Sequence, residues 1–165
     1  MIVLGIDPGL ANTGFGVVER RGGRFVALDG GVIETAASQS PERRLRALHD
    51  ELNGVYARHA VDAAALEDLY FGQNASSALA VGQARGVALL LAGQHGVPCG
   101  SYTPQQVKQA VCGTGRADKG QVATMVKALL GLPDDPLPDH ATDALAVGVC
   151  HANHAPLRAA MAVAG

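Results

Sequence analysis

Aromatic residues are scarce in this chain: three Tyr, three Phe and no Trp in 165 residues. With so few large rings the core must be filled by small aliphatic side chains, which suits helices packed closely on a sheet. Net charge is nearly absent as well, at −2. That removes any global electrostatic argument for nucleic acid, so a DNA site would have to be a local patch. Cysteine is sparse, with Cys99, Cys112 and Cys150 widely spaced and no CxxC. This excludes a disulfide framework and a zinc knuckle and fits a reducing cytoplasm. No basic segment followed by an apolar stretch opens the sequence, so no signal peptide is expected. Continuous apolar runs are short, the longest lying near Val87–Ala92. It is far too short to span a bilayer, and no membrane association is expected.

What is abundant is aliphatic: 48% of the residues are hydrophobic. The length and composition fit one domain over residues 1–165 with a substantial core, and exclude a disordered chain. Ile2–Ile6 reads as a buried strand, and Thr13–Glu19 and Phe25–Glu34 as two more joined by glycine-rich turns. A helix is expected from Pro41 to about His59, then a short strand at Ala63–Leu66 ending on Glu67. A long helix from about Asn74 to Gln94 is apolar or small nearly all round. Val97–Tyr102 is expected as a fifth strand, followed by helices over Gln105–Cys112, Lys119–Leu130 and Asp139–His154. This order implies a mixed α/β sheet, three antiparallel strands first, with helices on both faces.

Two strands share an ending. In "VLGIDPGLANTG" the apolar run closes on Asp7, and Ala63–Leu66 closes on Glu67. If these strands are parallel neighbours, both carboxylates reach one edge of the sheet. The stretch "PDHATDALAVGV" adds Asp139, His140 and Asp143 at three- and four-residue spacings near a helix start. Taken singly, Asp7 before Pro8-Gly9 can form a turn, and Asp139 or Asp143 can favour a helix dipole. Gathered together, the carboxylates would repel one another unless divalent cations neutralised them, and oxygen-rich sites suit Mg²⁺ or Mn²⁺.

Other features bear on partners. Tyr70 and Phe71 follow Glu67 closely beside Gly72, where an aromatic can stack on an unpaired base or plug the core. Residues 101–130 carry Lys108, Arg116, Lys119 and Lys127 against Asp118, a local basic patch. The apolar helix ending at Gln94 has more apolar surface than one sheet can cover and suits a homodimer interface. His151 and His154 are expected at a solvated helix end. A rival reading of Asp7-x-Gly9 with Thr13-Gly14 is the first phosphate loop of an ATP-binding module, although 165 residues leave no room for its second domain.

Several stretches lie in one order along nearly the whole chain: Gly5-Ile6-Asp7-Pro8-Gly9, Leu66-Glu67, Asn74–Leu79 running into Gly82-Gln83-Ala84-Arg85-Gly86-Val87, Gln106-Val107-Lys108 and Asp143–Ala146. Together they resemble the RuvC family of Holliday-junction resolvases. The resemblance implies an RNase H-like fold, a homodimer and two divalent cations, Mg²⁺ or Mn²⁺. It implies symmetric nicking of four-way DNA junctions, leaving 5′-phosphate and 3′-hydroxyl ends, and the RuvA–RuvB branch-migration complex as a partner. It also implies Asp7, Glu67, His140 and Asp143 as catalytic, metal-holding residues, with His140 where an aspartate is more familiar. By the same resemblance Tyr70 is a base-contacting aromatic, and Lys108 and Lys119 touch the DNA backbone near the cut.

Overall fold

The computed structural model describes residues 1–68 and 75–163, with side chains described through residue 154. Its elements are β1 (Ile2–Asp7), β2 (Asn12–Arg21), β3 (Arg24–Glu34), α1 (Pro41–Arg58), β4 (Ala63–Glu67), α2 (Ala75–Gln94), β5 (Cys99–Tyr102), α3 (Pro104–Cys112), α4 (Lys119–Leu130) and α5 (Asp139–Val163). The five strands form one sheet in the order β3-β2-β1-β4-β5. β2 runs antiparallel to β1 and β3, while β4 runs parallel to β1 and β5. The β2–β3 hairpin turns on Gly22 and Gly23, both at positive φ, as a tight two-residue turn requires. This is the mixed sheet expected from the sequence.

Strand alternation divides the core in two. Val3, Val18, Ala65 and Tyr102 face one side and pack with α3, α4 and α5. Leu4, Ile6, Val17 and Leu66 face the other and pack with Leu48, Leu52 and Val55 of α1 and Ala84, Ala88 and Leu91 of α2. Helices therefore cover both faces.

α5 lies unusually close to the sheet because glycines clear its path. A Cβ on Gly5 would stand 2.0 Å from the Ala144 carbonyl oxygen, and one on Gly14 would stand 1.9 Å from that of His140. Gly16, the register partner of Gly5, opens the same surface to Leu145. Backbone rests on backbone here, and the first turn of α5 comes down beside the end of β1.

Three expectations need correction. The last helix does not stop at His154 but continues to Val163, through Pro156. A proline cannot donate to the carbonyl four residues back, here that of Ala152. Arg20 Nη1 supplies the missing donor at 2.7 Å from that carbonyl, which satisfies the acceptor and lets the helix run on. His151 is buried rather than at a solvated end, and its Nδ1 lies 2.9 Å from the Tyr102 hydroxyl. Its ring occupies the space left by Gly100. β5 begins at Cys99 instead of Val97, since Val97 N–H closes back on Ala92 of α2 and Pro98 has no N–H to give.

α2 also differs from the reading of short apolar runs. Although no single run is long, the helix as a whole has the length and composition to cross a membrane. Its buried residues form a narrow stripe, and Leu79 (66% exposed), Leu89 and Leu90 (55%) face outward.

Candidate active site

The register of the parallel pair places the acids. Ile6 is the partner of Leu66, so the next residues, Asp7 and Glu67, leave neighbouring strands at the same edge. Alternation sends both side chains to the α5 face, because Asp7 shares parity with Val3 and Gly5, and Glu67 with Ala65. The turn behind Asp7 is tied by a hydrogen bond from the Thr13 hydroxyl to the Gly9 carbonyl. From above, α5 contributes His140, whose Nδ1 lies 2.7 Å from Asp7 Oδ2. Asp143, one turn on, lines a cleft of about 240 Å³ together with Glu67, Lys108 and Lys119.

Lys119 is placed by local sequence. Asp118 caps α4, accepting from Gln121 N–H while the Gln121 side chain returns to Asp118 N–H, so Lys119 becomes the first helical residue. Its ammonium stands 3.0 Å from Asp139 and 3.7 Å from Asp143. The same device at Thr103 and Gln106 starts α3 and sets Lys108 on the cleft wall.

The electrostatics are unbalanced toward negative charge. Burial, the neighbouring Asp7 and Asp143 carboxylates, and a hydrogen bond to Asp7 push the Glu67 carboxyl up to about 7. Asp143 is also raised, mainly by burial, with Lys119 acting in the opposite direction. Lys119 is held more firmly protonated by its hydrogen bond to Asp139. Three carboxylates and one imidazole thus share a partly buried corner, and one ammonium offsets only part of their charge. Such an oxygen-rich set fits a hard divalent cation, whose charge would relieve the repulsion that raises Glu67. Among the described residues, no three such side chains already converge on one cation-sized point. Instead His140 turns to Asp7, and Lys119 to Asp139 and Asp143.

Comparison with known proteins gives the family of the chain. A family model described as crossover junction endodeoxyribonuclease RuvC matches residues 3–151. The chain belongs to the RuvC family of crossover junction endodeoxyribonucleases. A RuvC from Pelotomaculum thermopropionicum is 51% identical over 154 residues, covering 93% of this chain and 94% of that protein. The solved Thermus thermophilus RuvC superposes with a TM-score of 0.88 at 39% identity, covering 96% of this chain and 97% of the other. The same RuvC in complex with a Holliday junction substrate gives 0.87 at 37% identity, with 95% and 96% covered. Membership in a nuclease family leaves the ATP-module reading without support, and it implies use of a divalent metal.

The residues expected from the sequence fall into three groups. Asp7, Glu67, His140 and Asp143 come together with Lys108 and Lys119 in and around the cleft. Arg116 is exposed in the link between α3 and α4 and is not among the residues that line that cleft. Tyr70 and Phe71 lie outside the described residues. One participant went unassigned. Arg85, inside the Gly82–Val87 motif, donates to the Glu67 carbonyl at 3.0 Å and pairs with Asp68. Its position in a motif without an assigned task was the available signal.

Proposed function

We propose that this chain, acting as a single nuclease domain, resolves four-way DNA junctions by paired symmetric nicks that leave 5′-phosphate and 3′-hydroxyl ends. The observation that carries the reading is the meeting of Asp7, Glu67, His140 and Asp143 at one strand edge beside two lysines. Support comes from the relative solved with a Holliday junction substrate.

In this reading Asp7, Glu67, His140 and Asp143 hold two divalent cations, Mg²⁺ or Mn²⁺. When bound, these supply Lewis-acid chemistry, acidifying the attacking water and offsetting charge on the leaving 3′ oxygen. The protein's own groups do the rest. Lys108 and Lys119 place positive charge beside the acids, so that a phosphate backbone can approach a cleft that would otherwise repel it. Lys119 also holds Asp139 and Asp143 in place. Arg116 extends the basic surface, and Tyr70 with Phe71 stack on bases unpaired at the crossover.

The apolar outer face of α2 is the surface a second copy would cover, as a homodimer that cuts two strands needs. The cytoplasm is the compartment, with a branch-migration complex of the RuvA–RuvB kind as the partner that delivers junctions. The test is Asp7→Asn on a labelled synthetic junction. It keeps shape and size but removes a charge, so binding should persist while cleavage disappears. Cleavage at the wild-type rate would overturn the metal-site reading.

A further inference from the structure

Arg85 reaches from α2 to the strand ends from the side of the sheet opposite α5. By alternation Glu67 points toward α5, while Asp68 and Ser101 point toward α2. Arg85 Nη1 donates to the Glu67 carbonyl at 3.0 Å. Nη2 donates to Ser101 Oγ at 2.5 Å and pairs with Asp68 Oδ1 at 3.0 Å. The side chain is largely buried, at 19% exposure.

The place it grips is where the pairing of β1 with β4 ends and the acids begin. The β1–β4 ladder pairs residues only as far as Ile6 and Leu66. Beyond that point Glu67 keeps its pairing with Tyr102 of β5, and Asp68 N–H donates to the Tyr102 carbonyl at 2.8 Å. Past the last ladder pair the Asp7 and Glu67 carboxyls lie within hydrogen-bonding reach, and two ionised carboxylates that close would push the strand ends apart. A restraint on the main chain of Glu67 resists that splaying without occupying its carboxylate. The guanidinium is suited to this because its charge is matched by Asp68, which leaves the Glu67 carboxylate to the cleft. Its planar fork also spreads donors in fixed directions from two nitrogens, which suits acceptors on two strands better than the single nitrogen of an ammonium on a flexible stem.

We propose that Arg85 is a positioning residue for the metal site, fixing the Glu67 carboxylate in the cleft by holding the backbone behind it. The inference rests on Glu67 being a metal-holding group, as in the function proposed above.

The test uses the full chain and Mn²⁺ alone as probe. Mn²⁺ binding is measured by calorimetry without DNA for wild type, Arg85→Lys, Ser101→Ala and Glu67→Gln. Junction binding in chelator, cleavage rate against Mn²⁺ concentration and thermal midpoint are recorded alongside. Arg85→Lys should weaken Mn²⁺ binding about ten- to a hundredfold, the usual effect of removing a group that orients a ligand. Its cleavage should recover at raised Mn²⁺, and junction binding in chelator should match wild type. A purely structural role would lower the thermal midpoint without a recovery by metal. Ser101→Ala, which removes one of three acceptors, should shift Mn²⁺ affinity in the same direction by less, and it carries the test if Arg85→Lys fails to fold. Wild-type Mn²⁺ affinity in both variants, or a cleavage loss that excess Mn²⁺ does not restore, overturns the proposal. If Glu67→Gln weakens binding while they do not, the positioning role alone fails. If Glu67→Gln also binds Mn²⁺ like wild type, the assignment of Glu67 itself is wrong.

Discussion

His140 Nδ1 lies 2.7 Å from Asp7 Oδ2, joining the last helix of the chain to its first strand at the acidic corner. An imidazole offers a neutral nitrogen where an aspartate would offer charged oxygen. Mg²⁺ prefers oxygen and sheds water reluctantly, whereas Mn²⁺ accepts nitrogen more readily. Mn²⁺ should therefore support faster cleavage than Mg²⁺ at equal concentration, and His140→Asp should narrow the gap. His140→Ala should lose most activity with either ion. Initial nicking rates decide it. An inactive Asp139→Ala beside a normal His140→Ala would move the ligand to Asp139.

The raised Glu67 carboxyl makes the metal-free protein sensitive to pH. Its folded value of about 7 exceeds the ordinary glutamate value of 4.5. The native state therefore holds its proton longer than the unfolded state, and stability falls as pH rises through this window. The loss is on the order of 3 kcal/mol between pH 4.5 and 8. Glu67→Gln should flatten that dependence and raise the melting temperature at pH 8 in chelator, while abolishing cleavage. Thermal melts across this pH range, with and without chelator, provide the check. A stability that rises from pH 5 to 8 and is unaltered by Glu67→Gln would contradict the prediction.

Self-association should depend on the outer face of α2. Replacing Leu79 and Leu90 by Gln removes apolar area that is already exposed, so the isolated chain should lose little stability. Sedimentation should show a shift from dimer toward monomer, together with loss of paired nicking. An unchanged sedimentation coefficient would place the dimer contact elsewhere.

Arg20 and Pro156 form a natural double-mutant cycle. Arg20→Met should leave the Ala152 carbonyl without its donor, costing about 1–3 kcal/mol. Pro156→Ala restores an N–H four residues on, so the double variant should recover part of that loss. Denaturant melts of the four proteins measure the coupling. Strict additivity would show that the guanidinium does not substitute for the missing amide.

The reach of the sequence depended on whether a feature's cause was local. Asp7 and Glu67 were legible because an apolar run ending in a carboxylate is written in consecutive residues. The starts of α3 and α4 were legible for the same reason, with caps three residues from their partners. The end of α5 was not, since Pro156 reads as a stop and its compensation comes from Arg20, far away in the sequence. His151 looked solvated because its partner, Tyr102, belongs to another element. Arg85 showed only that it sat in a motif with no assigned task, as its acceptors become neighbours only once β4 and β5 pair.

The contact of α5 with Gly5 and Gly14 has a consequence for how the site tolerates change elsewhere. Where side chains separate two elements, their spacing drifts as those side chains grow or shrink. Here peptide groups meet directly, so the separation is a fixed property of the chain's repeating unit. Substitutions in either core can loosen or tighten the molecule while the span from Asp7 to the first turn of α5 stays the same. The acidic corner is gauged by atoms that every residue possesses.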